Sequence, residues 1–259
     1  MFVSKARTEK PSAAGPWLVT AKPAPEASLR LVCFPYAGGA AGTFHAWPRR
    51  LPEKVELCAV QLPGRGIRMS EPPFTHLSPL VASLARVIEP HLDKPAAFFG
   101  HSMGALIAFE LARQLRRESK REPVHLFLSG RRAAQLATDE PPSYDLPEPE
   151  FLDTLRELNG TPKEVFEHPE LLQLMIPLLR ADFGICQTYT YTPEPPLRCP
   201  ITVFGGLKDE QVGSEVLGAW AEQTTSSFSL HMLPGDHFFI NSSQSLICHL
   251  LSQQLSRLI

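Results

Sequence analysis

The chain has 259 residues, of which 43% are hydrophobic and 20% charged, with a formal net charge of -2. That balance suits a single globular domain and excludes the global basic field of a nucleic-acid binder. Five cysteines (33, 58, 186, 199 and 248), odd in number and with no C-x-x-C pair, exclude a disulfide framework and a zinc site and suit a reducing compartment.

Residues 1–27 read as an arm. Its first part carries Lys5, Arg7, Glu9 and Lys10, which breaks any apolar core a signal peptide would need, and it ends in the Pro-rich stretch Lys22-Pro23-Ala24-Pro25. No apolar run approaches the roughly 18 residues that span a bilayer. A cytoplasmic monomer without membrane or nucleic-acid partners is expected. Apolar runs at 29–34 and 55–62 then predict strands. Residues 78–91 predict a helix, with Leu80, Val81, Leu84, Val87 and Ile88 on one face. A strand at 95–99 is followed by an amphipathic helix over 105–117. Strands are predicted again at 124–129, 201–205 and 228–233, and helices at 213–223 and 242–258. Strands alternating with helices imply a mostly parallel central sheet with helices on both faces, an α/β architecture.

Residues 131–199 interrupt that rhythm. Eleven of the 26 prolines fall between positions 141 and 200, which argues against sheet strands there. Phe151, Leu152, Leu155 and Leu158 share a helical face. Residues 171–183 form a nearly all-round apolar helix in which Pro177 predicts a kink. The segment reads as a helical lid above the sheet's C-terminal edge, dividing a core of residues 28–130 from its continuation at 200–259; an ordinary packed crossover is the alternative.

The chemistry starts at Gly100-His101-Ser102-Met103-Gly104. This G-x-S-x-G lies between a strand and a helix, the context of a nucleophile elbow, in which the serine hydroxyl stands over the sheet edge and a helix N-terminus faces developing negative charge. Of nine histidines, His237 is best placed as base, after a strand and a Pro234-Gly235 turn. His101 should point away from the Ser102 hydroxyl, His231 should pack in a strand, and His45, His76, His91, His125, His168 and His249 suit surface, cap or packing roles. Asp209, just past a strand end, is the candidate to orient the imidazole. Asp236 is a rival by adjacency alone, and Asp182 suits a helix cap or an ion pair with an arginine of the lid. The chain order Ser102, Asp209, His237 is that of α/β-hydrolases. The oxyanion donors expected are the backbone N–H of Met103 and that of Ala37, in the small-residue loop Pro35-Tyr36-Ala37-Gly38-Gly39. That loop lacks the Gly-Lys-Ser/Thr of a phosphate-binding loop, and no cofactor or metal is expected.

Phe34-Pro35-Tyr36-Ala37-Gly38-Gly39, Gln61-Leu62-Pro63-Gly64-Arg65, Phe99-Gly100-His101-Ser102-Met103-Gly104, Leu158-Asn159-Gly160-Thr161-Pro162, Leu179-Arg180-Ala181-Asp182 and Gly235-Asp236-His237-Phe238 together resemble the type II thioesterases. These are stand-alone α/β-hydrolases serving polyketide synthases and nonribosomal peptide synthetases; the medium-chain thioesterase of animal fatty acid synthesis is similar. The resemblance runs from residue 16 to about residue 245. It implies an acyl group in thioester linkage to the phosphopantetheine arm of a carrier protein, and removal of stalled or aberrant units. It also implies a triad of Ser102, Asp209 and His237, oxyanion amides at Ala37 and Met103, and a helical lid. The basic cluster over 113–121, with Arg131 and Arg132, then reads either as a docking surface for an acidic carrier or as a solvated helix end opposing the helix dipole. An oxygen-ester hydrolase, a silent binding module and an acyl-transfer or macrocyclising domain are the competing readings of the same fold.

Overall fold

The computed structural model describes residues 17–119, 121–138, 141–158, 160 and 166–259. Most of the arm, and Asn159, Thr161 and Pro162 of the quoted motifs, lie outside the described residues. Seven strands, β1 (Leu18–Val19), β2 (Leu29–Phe34), β3 (Val55–Val60), β4 (Ala96–His101), β5 (His125–Ser129), β6 (Ile201–Gly206) and β7 (Phe228–Leu233), form one sheet in the order β1-β3-β2-β4-β5-β6-β7. Only the short edge strand β1 is antiparallel, to β3; every other pairing is parallel.

The strands are buried because both faces are covered. β2 and β4 are buried along their whole length, which is why they read as apolar runs and not as alternating patterns. One face packs against α1 (Leu77–Ile88) and α2 (Met103–Ser119), whose buried stripes include Leu80, Leu84 and Ile88, and Leu106, Phe109 and Leu115. The other packs against a short helical turn over Ala41–Phe44, α6 (Phe239–Ser242) and α7 (Gln244–Leu255). Each fully buried Leu, Val or Phe contributes about 1.5–3 kcal/mol of transfer free energy.

Between β5 and β6 lie α3 (Glu148–Glu157) and α4 (Pro169–Gln187), which share a separate small core of Phe151, Leu155, Leu172, Ile176 and Leu179. α4 continues through Pro177. It is also less uniformly buried than its composition predicts, since Leu171 is 41% and Leu174 55% exposed. Between β6 and β7 the predicted helix is a short α5 (Ser214–Gly218) continued by a 3-10 turn over Ala219–Gln223. The predicted closing helix is broken at Ser243, whose hydroxyl donates to the Pro234 carbonyl at 2.6 Å and so fixes the turn before His237. β3 ends at Val60, and the Gln61 side chain beyond it ties the neighbouring loops, accepting from Ala41 N and donating to the Arg65 carbonyl.

Cys33, Cys58, Cys199 and Cys248 are buried, Cys186 is half-buried, and none is in a disulfide. Burial pushes all five thiols up, those of Cys199 and Cys248 to about 12.

Candidate active site

Parallel strands deliver their following loops to one edge of the sheet, and four loops converge there: those after β2, β4, β6 and β7. Ser102 follows β4 at φ 52°, the one non-glycine among the described residues with a positive φ. Such backbone costs on the order of 1–3 kcal/mol and persists only where the surroundings enforce it. The enforcement is visible at the flanking glycines. A Cβ on Gly100 would stand 2.0 Å from the Gly104 carbonyl oxygen, and one on Gly104 would stand 2.1 Å from that of Phe34. Only glycine lets α2 descend this steeply onto β4 and β2.

His237 Nε2 lies 3.1 Å from Ser102 Oγ, and His237 Nδ1 lies 2.7 Å from Asp209 Oδ2. The Asp209 side chain is only 1% exposed, and its other oxygen accepts from the amides of Gln211 and Val212 at 3.1 and 3.2 Å. A carboxylate so held cannot rotate, so the proton on Nδ1 is directed to it and Nε2 is left to accept the serine proton. The three residues picked from spacing therefore meet as a continuous hydrogen-bonded chain. That chain can raise the nucleophilicity of a hydroxyl and hold the resulting imidazolium.

The rivals have other partners. Asp236 is exposed and accepts from the Phe238 amide at 2.9 Å. Asp182 is fully buried, and it pairs at 2.7 Å through each oxygen with Arg65, which belongs to the Leu-Pro-Gly-Arg loop and not to the segment over 131–199 as expected. Asp182 also accepts from Gly38 N at 2.7 Å. Gly38 is thereby committed, whereas the amides of Ala37 and Met103 have no acceptor among the described residues.

His101 does point away from the hydroxyl, but it is more than filler. Its Nε2 lies 3.0 Å from the His237 carbonyl oxygen, which can only accept, so Nε2 carries the proton and Nδ1 accepts from Ser129 Oγ at 2.8 Å. Burial, and then the nearby His237, hold His101 well below the ordinary imidazole range, which favours its neutral form. Sequence reasoning missed this role. The only signal was a polar residue at the end of a fully buried strand.

Of the basic cluster, Arg113 is buried between Glu110 and Glu194, and Arg116 and Arg117 also pair with Glu194. Those three arginines form an intramolecular network with Glu110 and Glu194, so their charge is met within the chain and not left to solvent. A cleft of about 420 Å³ beside them, between α1, α2 and residues 188–194, is lined by none of Ser102, Asp209 or His237. Among the described residues no group of histidine, cysteine and acidic side chains could hold a metal ion, and no helix is long and apolar enough to cross a membrane.

A seven-stranded, mostly parallel sheet with a serine elbow after β4 is the α/β-hydrolase fold. A sequence model of the thioesterase domain matches residues 29–255, and the chain belongs to that family of thioester hydrolases. It is 47% identical over 242 residues to the protein named linear gramicidin dehydrogenase LgrE of Brevibacillus parabrevis, covering 92% of each chain. Among solved structures it is similar to the RedJ thioesterase of the prodiginine biosynthetic pathway in Streptomyces coelicolor, with a TM-score of 0.84, 40% identity and coverage of 93% of this chain and 96% of that one. It also resembles the type II thioesterase BorB of the borrelidin biosynthetic cluster, with a TM-score of 0.85, 33% identity and coverage of 94% and 99%.

Proposed function

We propose that this thioesterase is a serine hydrolase that frees acyl groups from the phosphopantetheine arms of carrier proteins, clearing stalled or aberrant units from polyketide or nonribosomal peptide synthesis. The observation that carries this reading is the Ser102–His237–Asp209 chain, at 3.1 and 2.7 Å, on the edge where the small-residue loop also ends. The biosynthetic setting is supported by the pathways named for its relatives. A cytoplasmic site of action is supported by five unpaired cysteines. A monomer suffices, because one chain supplies every group the reaction needs.

Ser102 Oγ attacks the thioester carbonyl carbon while its proton passes to His237 Nε2, and Asp209 stabilises the imidazolium. The carbonyl oxygen becomes an oxyanion facing the amides of Ala37 and Met103, the latter at the N-terminus of α2. Collapse breaks the carbon–sulfur bond, and the departing sulfur takes the proton from His237. Water then attacks the acyl-serine, giving its proton to His237, and Ser102 Oγ leaves with that proton as the carboxylic acid is released. A thioester carbonyl is weakly resonance-stabilised and its thiolate is a good leaving group, so the machinery is sufficient as it stands. Residues 131–199 serve as the lid, with the core under α3 and α4 sheltering the acyl chain.

The dehydrogenase in the name of the gramicidin relative does not fit the loop after β2. That loop, Ala37-Gly38-Gly39-Ala40-Ala41-Gly42, carries no G-x-G-x-x-G fingerprint of a dinucleotide site.

Hydrolysis should be measured as thiol release from an acyl-carrier protein and an acyl-pantetheine, and as p-nitrophenolate release from a p-nitrophenyl ester. Ser102→Ala is expected to lower turnover on the order of a thousandfold or more, and wild type to prefer the carrier-bound thioester. Near wild-type activity in Ser102→Ala would overturn the mechanism. Equal or better cleavage of the oxygen ester, indifferent to the carrier, would reassign the protein as a general esterase.

A further inference from the structure

Two motifs take no part in that scheme, Leu62-Pro63-Gly64-Arg65 and Arg180-Ala181-Asp182, yet their charged ends meet. Arg65 and Asp182 are joined by two 2.7 Å bonds, 117 residues apart in sequence, with the Asp182 carboxylate fully buried. Burying such a pair is not in itself a route to stability, because desolvation of both ions offsets their attraction and apolar replacements often do as well. Its value has to be sought in what it holds.

It holds the loop after β2 at two points. Asp182 Oδ2 accepts from Gly38 N at 2.7 Å, and Arg65 donates to the Gly39 carbonyl at 3.1 Å. Gly39 N in turn donates to the Tyr36 carbonyl at 2.9 Å, closing a four-residue turn with Gly38 third, at φ +76°. A positive φ at the third position marks the type II turn, which differs from type I by a half-rotation of the central peptide. That central peptide is Ala37–Gly38, and its N–H is the one bonded to Asp182. Releasing the bond frees the plane next to Ala37, whose own amide stands second in the turn. α4 closes the arrangement from outside, because Leu179 Cδ2 would lie 2.8 Å from a Cβ on Gly38.

We infer that Arg65 and Asp182 are a positioning pair for the oxyanion site: they lock the turn that aims the Ala37 N–H and make that aim depend on α4 being in place. The inference rests on the proposed role of Ala37. It also means that the C-terminal half of α4 cannot swing away during turnover without disordering the donor.

The test compares Asp182→Asn, Arg65→Lys and Arg65→Gln with wild type, and all rates are expressed per active site titrated with a phosphonofluoridate. Removing one oxyanion donor costs about a hundredfold to a thousandfold in kcat, so misaiming one should cost about tenfold to a hundredfold. KM should change less than about threefold, and affinity for a trifluoromethyl ketone analogue should fall by the same factor as kcat, since both report the oxyanion. Arg65→Lys should show the same pattern more weakly. Arg30→Gln serves as control; Arg30 pairs with Glu56 at 2.9 Å and Asp93 at 2.7 Å, remote from the site, and its loss should lower Tm alone. If the Asp182 and Arg65 variants likewise lose only Tm, with kcat per site and analogue affinity intact, the pair is structural and the inference is overturned. If Asp182→Asn fails to fold, the two Arg65 variants decide. Ser102→Ala is run alongside: its failure to abolish turnover would refute the proposed function, whereas a dead Ser102→Ala with an unaffected Asp182→Asn refutes the positioning role alone.

Discussion

Ser102 sits at φ 52° with a glycine two residues to either side, and each glycine is excluded from carrying a Cβ by a backbone carbonyl about 2 Å away. Neither obstacle is a flexible side chain that could step aside. Gly104→Ala is therefore expected to cost more than about 3 kcal/mol, at the upper end of single substitutions, as read from urea unfolding. A cost within about 1 kcal/mol would mean that the elbow relaxes more easily than its contacts indicate. Asp209→Asn should behave in the opposite way, keeping the fold and losing the rate. The asparagine still receives the Gln211 and Val212 amides but can no longer stabilise the imidazolium, so kcat should fall about ten-thousandfold with Tm nearly unchanged. An intact rate would place the carboxylate elsewhere.

α4 is two things along one axis. Its C-terminal half carries Leu178, Leu179, Ala181 and Asp182, all buried, whereas its N-terminal half shows Leu171 and Leu174 to solvent. Pro177 stands between, without an N–H to give to the turn before it. Variants at Leu172 and Ile176, in the small core proposed to shelter the acyl chain, should shift acyl-chain preference, seen as KM changes across a chain-length series, while kcat holds. A uniform kcat loss would instead show that both halves serve the reaction centre. This division was only half legible in the sequence. The apolar period of α4 and the strand-helix alternation of the core are local patterns, and a local reading finds them. So is the elbow, and with it the choice of Ser102, Asp209 and His237. The partner of Asp182 was misassigned because Arg65 is 117 positions distant and nothing near Asp182 points to it. The two-residue β1 is too short to leave a period, and the break at Ser243 comes from a hydroxyl bonding back nine residues.

Across the molecule, burial holds the imidazoles of His101 and His125 below their ordinary range. His125, in β5, stacks on Phe127 at 4.1 Å and bonds Thr202 at 2.9 Å, and burial lowers its pKa from 6.5 to about 4. Between those two values the unfolded chain binds the proton and the folded chain does not. The contribution of His125 is thus fully present above pH 6.5 and is lost as pH falls towards 4, a swing of about 3 kcal/mol for a shift of this size. His101, shifted in the same direction, adds to it. Urea midpoints at pH 7.5 and 4.5 should show a steep acid loss in wild type and a shallower one in His125→Gln. Identical losses in the two proteins would remove His125 from the account.

The cysteines acquire a meaning from the chemistry around them. A protein that handles thioesters meets acyl groups that any available thiolate can capture by exchange, and it releases a thiol with each turnover. Thiolates are the reactive species, and the five sulfurs here are kept protonated by burial. On the proposed mechanism the acyl group passes through oxygen at Ser102, and a scaffold whose thiols burial pushes up sets little thiolate beside it as a competing acceptor.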